Sequence, residues 1–303
     1  MTKTVDYLVM DPEGNITILV LSPVEREEYQ IVAHALLDAN PAAEQVGYVV
    51  SDGGNGSGRE YPLMEMSGLE FCGNATRSFA FYEAMLQEPP AEEIDVMVSG
   101  CDYPLHAWID AKDPSGGTVR LQMPIPEEME EISIPVTADL AAELQLPEDA
   151  KDHYITGQLV HMDGISHLII RSIPAEVTGK CSRETMDCLF MHLRDSVYQI
   201  TTRDLPAFGV MFADPKAGRM TPIVYVRDVD TTYFEGSCAS GSNAAAYAMA
   251  VSDLATAGCC SYTLKQPAGT LNIDVTGEGG VVKDIQLYGH VGMSGKRQLL
   301  VED

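Results

Sequence analysis

Residues 67–77 read Ser-Gly-Leu-Glu-Phe-Cys-Gly-Asn-Ala-Thr-Arg, and residues 234–244 read Phe-Glu-Gly-Ser-Cys-Ala-Ser-Gly-Ser-Asn-Ala. Each stretch places a cysteine, Cys72 or Cys238, just before small residues that open an alanine-rich helix. Around both stretches, hydrophobic periodicity predicts the same order of strands, helix, strands, cysteine loop, second helix and closing strands. The repeated order predicts an α+β fold of two pseudo-symmetric lobes.

The predicted elements also set the lobe boundary. The cysteine loops are expected to lead into helices over residues 74–86 and 243–254, with residues 228–242 forming the second loop. Residues 124–131 contain two prolines and four glutamates and interrupt the apolar pattern, which is typical of a linker. We therefore expect an N-terminal lobe over residues 1–126 and a C-terminal lobe over residues 127–303.

Charge and hydropathy exclude several classes of partner. The 303 residues include 19 basic and 45 acidic side chains, which gives a net charge of −26. Such a chain cannot displace counterions from phosphates, so neither nucleic acid nor an anionic membrane surface is an expected partner. The sequence has no apolar run of the roughly 18 residues that span a bilayer and no signal-peptide pattern, which predicts a cytoplasmic protein.

The cysteines favour neither disulfides nor a metal site. There are seven, an odd number, in a long chain without an export signal, and none is part of a Cys-x-x-Cys pair. A lone buried cysteine is usually a small apolar core residue, and this is the expectation for five of them: Cys101, Cys181, Cys188, Cys259 and Cys260.

Cys72 and Cys238 allow a second interpretation, because both precede a helix. A helix N-terminus presents unpaired N–H groups and about half a positive charge, which stabilise a thiolate and a bound carboxylate. Two thiols on opposite faces of one α-carbon could exchange its proton, one as base and the other as acid. A two-lobed fold with one cysteine on each side of a cleft would provide this arrangement.

The same motifs resemble those of a known family. Cys72-Gly-Asn-Ala-Thr-Arg77 and Cys238-Ala-Ser-Gly-Ser-Asn243 are similar to the cysteine motifs of the diaminopimelate epimerase-like superfamily of cofactor-independent amino-acid racemases and epimerases. More narrowly, the chain resembles the histidine racemases of opine-metallophore biosynthesis. The segments that carry this closer resemblance are residues 12–20, 44–47, 66–76, 98–101, 122–124, 235–241 and 266–269.

The resemblance implies that each lobe is a β-sheet or barrel around a central helix, with the active site in the cleft between the lobes. It also implies specific residue roles, no cofactor and association into homodimers. Cys72 and Cys238 would be the acid–base pair, acting on a small-molecule amino acid. Backbone N–H groups would bind its carboxylate, and further polar side chains would line the cleft near the amino group and the reacting centre. The residues implied in substrate binding are Gly73, Asn74, Gly241 and Ser242 for the carboxylate, and Asn15, Glu44 and Gln45 for the rest.

One departure from the superfamily bears on the substrate. Diaminopimelate epimerases have a Glu-Arg pair about nine residues before the second cysteine, and here that stretch has no such pair, although Arg227 lies nearby in another register. The acidic and aromatic residues Tyr233, Phe234 and Glu235 would suit a basic or imidazole side chain instead.

Histidine racemisation is therefore the leading hypothesis. The alternatives are diaminopimelate epimerisation, racemisation of another amino acid, a dehydratase of the proline-racemase type, and non-enzymatic amino-acid binding or thiol redox sensing.

Overall fold

A computed structural model of the chain describes residues 3–50, 60–143, 154–173, 175–214, 217–227, 230–254 and 258–301. It divides into two compact units. Unit 1 comprises Met1–Met123 and Gln286–Asp303, and unit 2 comprises Pro124–Ile285. The fold is mixed α+β, as predicted.

The strands, in chain order, are β1 (Lys3–Asp11), β2 (Thr17–Val20), β3 (Gln45–Val49), β4 (Leu63–Met66), β5 (Glu93–Val98), β6 (Leu105–Asp113), β7 (Gly116–Gln122), β8 (Glu128–Pro135), β9 (Tyr154–Met162), β10 (Ile165–Ile170), β11 (Ala207–Asp214), β12 (Arg219–Val226), β13 (Thr231–Phe234), β14 (Cys259–Lys265), β15 (Thr270–Glu278), β16 (Val281–Met293) and β17 (Arg297–Val301). The helices are α1 (Tyr29–Ala39), preceded by a 3-10 turn (Arg26–Glu28), α2 (Gly73–Met85), α3 (Ala138–Glu143), α4 (Ala175–Thr178), α5 (Arg183–Ile200) and α6 (Ala239–Asp253).

Unit 1 contains a closed barrel. Within the described residues, its strands pair in the order β1-β2-β3-β4-β5-β6-β7-β16, and β16 pairs again with β1 at Met10↔Met293 and Asp11↔Gly292. The β2–β3 and β4–β5 pairs are parallel, and the other pairs in the ring are antiparallel. Closure removes the exposed sheet edges of these strands.

The barrel surrounds α2. Ten of the thirteen residues of this helix are buried, and it contacts β2, β3, β5, β6 and β7. A helix that strands enclose has no solvent face, which explains why its apolar residues do not form a single stripe. This arrangement confirms the predicted central helix of the first lobe.

Unit 2 also contains a buried helix that packs among strands. Strands β8 to β12 pair in chain order, β12 also pairs with β13 and β14, and β14 pairs with β15. Helix α6 contacts β9, β10, β11, β14 and β15, and ten of its fifteen residues are buried. Helix α5 is amphipathic instead, and its apolar residues pack into a core with strands of the same unit.

Two local predictions were wrong. The expected linker at residues 124–131 includes the start of β8, in which Ile132 and Ile134 are buried while alternate residues are exposed. Ile132 and Ile134 therefore face the core and Glu131 and Ser133 lie on the opposite, exposed face, while Glu128 and Glu130 are exposed at the start of the strand. In addition, α6 begins at Ala239 and not at residue 243, because Cys238 caps it.

The compact units also differ in extent from the two predicted lobes. Gln286–Asp303 belongs to unit 1, where β17 pairs with β1 and the last residues of β16 complete the barrel. Separately, none of the helices in the described ranges combines the length and apolar character needed to cross a membrane.

Candidate active site

Cys72 is the N-cap of the buried helix α2. Its backbone is extended, and its sulfur accepts a hydrogen bond from the Ala75 N–H at 3.5 Å. The Thr76 hydroxyl donates to the Cys72 carbonyl oxygen at 2.7 Å. The sulfur therefore takes the place of the side-chain oxygen that usually caps a helix, and it lies at the positive end of the helix dipole.

The side-chain amide of Gln45 contacts the Cys72 sulfur. The thiol donates to Gln45 Oε1 at 3.1 Å. Gln45 Nε2 in turn donates to Asn15 Oδ1 at 2.6 Å and to Thr17 Oγ1 at 2.7 Å. The orientation of the Gln45 amide is thus fixed by two acceptors, which leaves its oxygen facing the thiol.

Asn15 lies at the centre of this network and is only 3% exposed. Its Oδ1 also accepts from Asn74 Nδ2 at 3.0 Å, and its Nδ2 donates to Glu44 Oε2 at 2.5 Å. The structure therefore brings together four of the predicted polar residues with Cys72. Gly73, the fifth predicted residue of unit 1, is the first residue of α2.

Arg77 lies behind this network and is fully buried. Its Nη2 donates to Asn74 Oδ1 at 2.9 Å and to the Pro12 carbonyl at 3.2 Å. Burial lowers the pKa of Arg77 to about 10, while the charges of Glu13 and Cys72 oppose the shift. Arg77 thus remains a cation at neutral pH and orients Asn74.

Cys238 caps α6 in the same way that Cys72 caps α2. Its sulfur accepts from the Gly241 N–H at 3.3 Å, and the Ser242 hydroxyl donates to its carbonyl oxygen at 2.6 Å. Gln266 Oε1 accepts the Cys238 N–H at 2.8 Å, and Gln266 Nε2 donates to Ser242 Oγ at 3.0 Å. One glutamine therefore holds both the cysteine and the first turn of the helix.

The electrostatic surroundings of Cys238 disfavour a thiolate. Burial raises the pKa of the Cys238 thiol well above its usual value, and the charge and hydrogen bond of Glu235 raise it further. The hydrogen bonds from Ser240 and from the Gly241 N–H act in the opposite direction. Glu235, predicted as a substrate-binding residue, thus contacts the sulfur itself.

The backbone N–H groups of Gly241 and Ser242 have partners within the helix cap. Gly241 donates to the Cys238 sulfur and Ser242 to the Cys238 carbonyl oxygen at 3.0 Å. Because α6 begins at Ala239, the N–H groups that point out of its first turn are those of Ala239 and Ser240. In unit 1 the equivalent positions are Gly73 and Asn74.

The other side-chain candidates lie in structural contacts. Phe234 packs against the core of unit 2, and the Arg183 guanidinium lies 3.1 Å above its ring centre. Tyr233 is 40% exposed. Arg227 forms an exposed ion pair with Asp204.

Several residues of the site were not predicted from the sequence. Arg77 and Gln266 appeared there only inside motifs, and Ser240 and His167 were given no role. The signal for Ser240 and Arg77 is their spacing from the cysteines, because positions +2 to +5 after an N-cap lie in the first turns of the helix. Gln266 and His167 are distant in sequence, so no local pattern indicates them.

No group of three or more His, Cys, Asp or Glu side chains in the described ranges could hold a metal ion. All seven cysteines lie in these ranges, and none forms a disulfide.

Comparisons with known proteins agree with this architecture. A family model described as the histidine racemase CntK N-terminal domain matches residues 4–299. A histidine racemase of Fusobacterium nucleatum subsp. nucleatum is 29% identical over 251 residues, which cover 81% of each chain. One of Staphylococcus aureus is 24% identical over 270 residues, covering 89% of this chain and 88% of that protein.

Two solved structures with the same fold are described as epimerases. A hydroxyproline epimerase from Agrobacterium vitis superposes with a TM-score of 0.64 at 12% identity, covering 99% of this chain and 93% of that one. A predicted epimerase from Pseudomonas aeruginosa gives 0.63 at 14% identity, covering 98% and 100%. The chain therefore belongs to the histidine racemase family and is an isomerase of the amino-acid racemase class.

Proposed function

We propose that the protein interconverts L- and D-histidine without a cofactor, using Cys72 and Cys238 as the acid–base pair. The observation that carries this proposal is the shared construction of the two cysteine sites. In each, a cysteine caps a buried helix, the N–H of residue +3 donates to its sulfur, and the hydroxyl of residue +4 donates to its carbonyl oxygen. A repeated pair of this kind suits a reaction in which two groups exchange roles.

In the proposed reaction, a thiolate removes the proton from Cα on one face of the substrate. The C–H electron pair remains on the carbon and is delocalised into the carboxylate. The second thiol donates its proton to the opposite face, which inverts the configuration and leaves the second sulfur as the thiolate. The reverse reaction exchanges the roles of the two sulfurs.

Glu235 is proposed as the base that takes the Cys238 proton during the reaction, whereas its charge keeps Cys238 a thiol in the resting protein. Its carboxylate is the acceptor beside Cys238, whereas the thiol of Cys72 faces the neutral amide of Gln45, which cannot take a proton. Transfer of the Cys238 proton to Glu235 gives a thiolate that the Gly241 N–H stabilises. Cys72 then serves as the acid of the first half-reaction.

The N–H groups at the two helix starts are proposed to bind the substrate carboxylate. In α2 these belong to Gly73 and Asn74, and in α6 to Ala239 and Ser240. A carboxylate at a helix N-terminus gains hydrogen bonds and the favourable end of the dipole. Glu44, next to Asn15, offers a negative charge to the substrate ammonium group.

Histidine is proposed as the substrate because the family and the related racemases are described by it. The absence of the Glu-Arg pair of diaminopimelate epimerases from the sequence argues against a substrate with a second carboxylate. Arg227, the nearest alternative arginine in the sequence, already forms an ion pair with Asp204.

The deciding experiment is incubation of the reduced protein with L-histidine in deuterated water. Deuterium at Cα together with growing optical inversion is expected, and Cys72→Ser and Cys238→Ser should each lose inversion almost completely. Inversion that persists in either variant would contradict the two-thiol mechanism. Visible absorbance from a lysine Schiff base would instead indicate pyridoxal phosphate chemistry.

The same assay separates the alternatives. A panel of amino acids that includes diaminopimelate distinguishes the substrates, and loss of water from hydroxyproline would indicate a dehydratase. Binding of histidine with neither exchange nor inversion would indicate a non-enzymatic role.

A further inference from the structure

His167 on β10 connects to the Cys238 sulfur through one hydroxyl group. His167 Nε2 lies 3.0 Å from Ser240 Oγ, and Ser240 Oγ lies 3.5 Å from Cys238 Sγ. His167 is fully buried, while Ser240 in the first turn of α6 is half-buried. The three side chains form a row in unit 2 that ends on the sulfur.

The surroundings of His167 determine which nitrogen carries its proton. Burial lowers the pKa of His167 to about 3, so the ring is neutral and has a single N–H at neutral pH. Its Nδ1 has no hydrogen-bond partner among the described residues. A buried N–H without an acceptor is more costly than an unused lone pair, so the proton belongs on Nε2.

Gly209 keeps the ring in this position. A Cβ at residue 209 would lie 2.3 Å from His167 Nδ1, so only glycine leaves room for the imidazole. The bare nitrogen thus packs against the backbone of β11, while the protonated one faces Ser240. The packing gives the ring one orientation.

We propose that His167 is a positioning residue that acts through Ser240: it donates to Ser240 Oγ, so that the serine directs its own proton to the Cys238 sulfur and supports the thiolate. This inference rests on the proposed acid–base role of Cys238. The Ser240 O–H and the Gly241 N–H then both donate to the Cys238 sulfur. Both hydrogen bonds oppose the increase in the Cys238 pKa that Glu235 causes.

The residue at the equivalent position of α2 forms different contacts. Position +2 after the cysteine is Ser240 in α6 but Asn74 in α2, and Asn74 bonds to Asn15 and Arg77. The charged group that the structure places against Cys238 is Glu235, and His167 is the titratable group behind Ser240. A donor relay at Cys238 offsets the carboxylate of Glu235, whereas the Cys72 thiol donates to the neutral amide of Gln45.

The experiment measures the pH midpoint for alkylation of Cys238 by iodoacetamide, quantified from the peptide that contains it, without substrate. The midpoint reports ionisation and does not depend on how fast the reagent reaches the sulfur. Ser240→Ala should raise it by about one pH unit, which is a tenfold loss of thiolate at a given pH. His167→Leu should raise it by the same amount.

A double variant separates a relay from two independent effects. Ser240→Ala combined with His167→Leu should shift the midpoint no further than Ser240→Ala alone, because His167 acts only through the serine. His167→Gln, whose Nε2 can donate to Ser240, should restore the wild-type midpoint. The Cys72 midpoint in the same samples is the internal control and should stay constant.

Two results would overturn the inference. One is an unchanged Cys238 midpoint in Ser240→Ala. This variant changes a half-buried residue, so it tests the relay even if His167→Leu does not fold. The other is additivity of the two single shifts. Because alkylation needs no substrate, a protein that racemises histidine with an unchanged midpoint refutes only the relay, whereas an inactive protein with shifted midpoints refutes only the racemase.

Discussion

The two cysteine sites share their backbone construction and differ in their side-chain partners. Cys72 donates to the neutral amide of Gln45, whereas Cys238 lies beside the carboxylate of Glu235. Five residues after the cysteine, unit 1 has the buried cation Arg77 and unit 2 has the neutral Asn243. Both of these side chains donate to a proline carbonyl, that of Pro12 in unit 1 and that of Pro124 in unit 2.

Two helix caps can therefore share one hydrogen-bond pattern while the groups next to their sulfurs differ in charge. Both caps depend on a cysteine sulfur that accepts from the N–H of residue +3 and on a hydroxyl at residue +4. The partners Gln45 and Glu235 lie outside the two helices, so they can differ without altering the caps. A reversible racemase needs both sulfurs, but the two need not ionise equally well in the resting protein.

The largest effect is expected from filling the space at Gly241. A Cβ there would lie 2.2 Å from Met211 Sδ and 3.1 Å from Cys238 Sγ, whereas the matching position in α2 is already Ala75. Gly241→Ala should displace the sulfur and lower racemisation by about a hundredfold, since small errors in position are costly in catalysis. Kinetic assay of folded protein checks this.

The matched control is Gly258→Ala, where a Cβ would meet nothing within 4 Å. It should keep wild-type activity. Equal activity of Gly241→Ala and Gly258→Ala would show that the Cys238 site accommodates a Cβ at residue 241 in spite of the contacts at 2.2 Å and 3.1 Å.

Changing the charge next to each sulfur should shift the pH midpoints for alkylation of Cys238 and Cys72 in opposite directions. Glu235→Gln removes the carboxylate that raises the pKa of Cys238, so the pH midpoint for Cys238 alkylation should fall. Loss of the proton acceptor should lower racemisation by about tenfold to a hundredfold. Gln45→Glu introduces a carboxylate at Cys72 and should raise the Cys72 midpoint. If Glu235→Gln leaves Cys238 alkylation unchanged, the assigned asymmetry is wrong.

Acid should destabilise the protein through His167. Its folded pKa is lowered to about 3 from a usual 6.5, so the unfolded chain binds a proton that the folded chain does not. Stability from this group is complete above about pH 6.5 and falls as pH drops towards 3, by at most about 1.4 kcal/mol per pH unit.

Urea unfolding between pH 7 and 4 measures this slope. His167→Gln should reduce it, because glutamine does not titrate. Arg77, with a pKa of about 10, stays charged throughout and contributes no slope in that range. Equal slopes in the wild type and His167→Gln would contradict the assignment.

The smallest effect concerns the paired hydroxyls of the helix caps. Thr76→Val removes one hydrogen bond to Cys72 and should cost about 1 kcal/mol of unfolding free energy. Ser242→Ala should cost about 2 kcal/mol, because the buried Gln266 amide also loses its acceptor. Thr76→Ser keeps the bond and serves as the control. A larger loss of unfolding free energy in Thr76→Val than in Ser242→Ala would contradict this prediction.

The sequence predicted more of unit 1 than of unit 2. Asn15, Glu44, Gln45 and Asn74 were all proposed for the site, and they form one hydrogen-bonded network with Cys72. In unit 2 the start of α6 was placed too late, because Ala-Ser-Gly-Ser after Cys238 resembles a loop in composition. A cysteine cap allows small polar residues to begin a helix, which propensity alone does not indicate.

Local periodicity and composition were enough to predict the repeated α+β pattern, the two cysteines before small-residue helices and the excess of acidic over basic residues. Only the tertiary structure decided that Gln45 faces one sulfur and Glu235 the other, that the C-terminal strands complete the first barrel, and that His167 lies behind Ser240. Most of these contacts join residues that are far apart along the chain, although Glu235 and Cys238 are separated by only three positions. Their energies depend on burial and on fixed orientation, which exist only once the strands have closed around each helix.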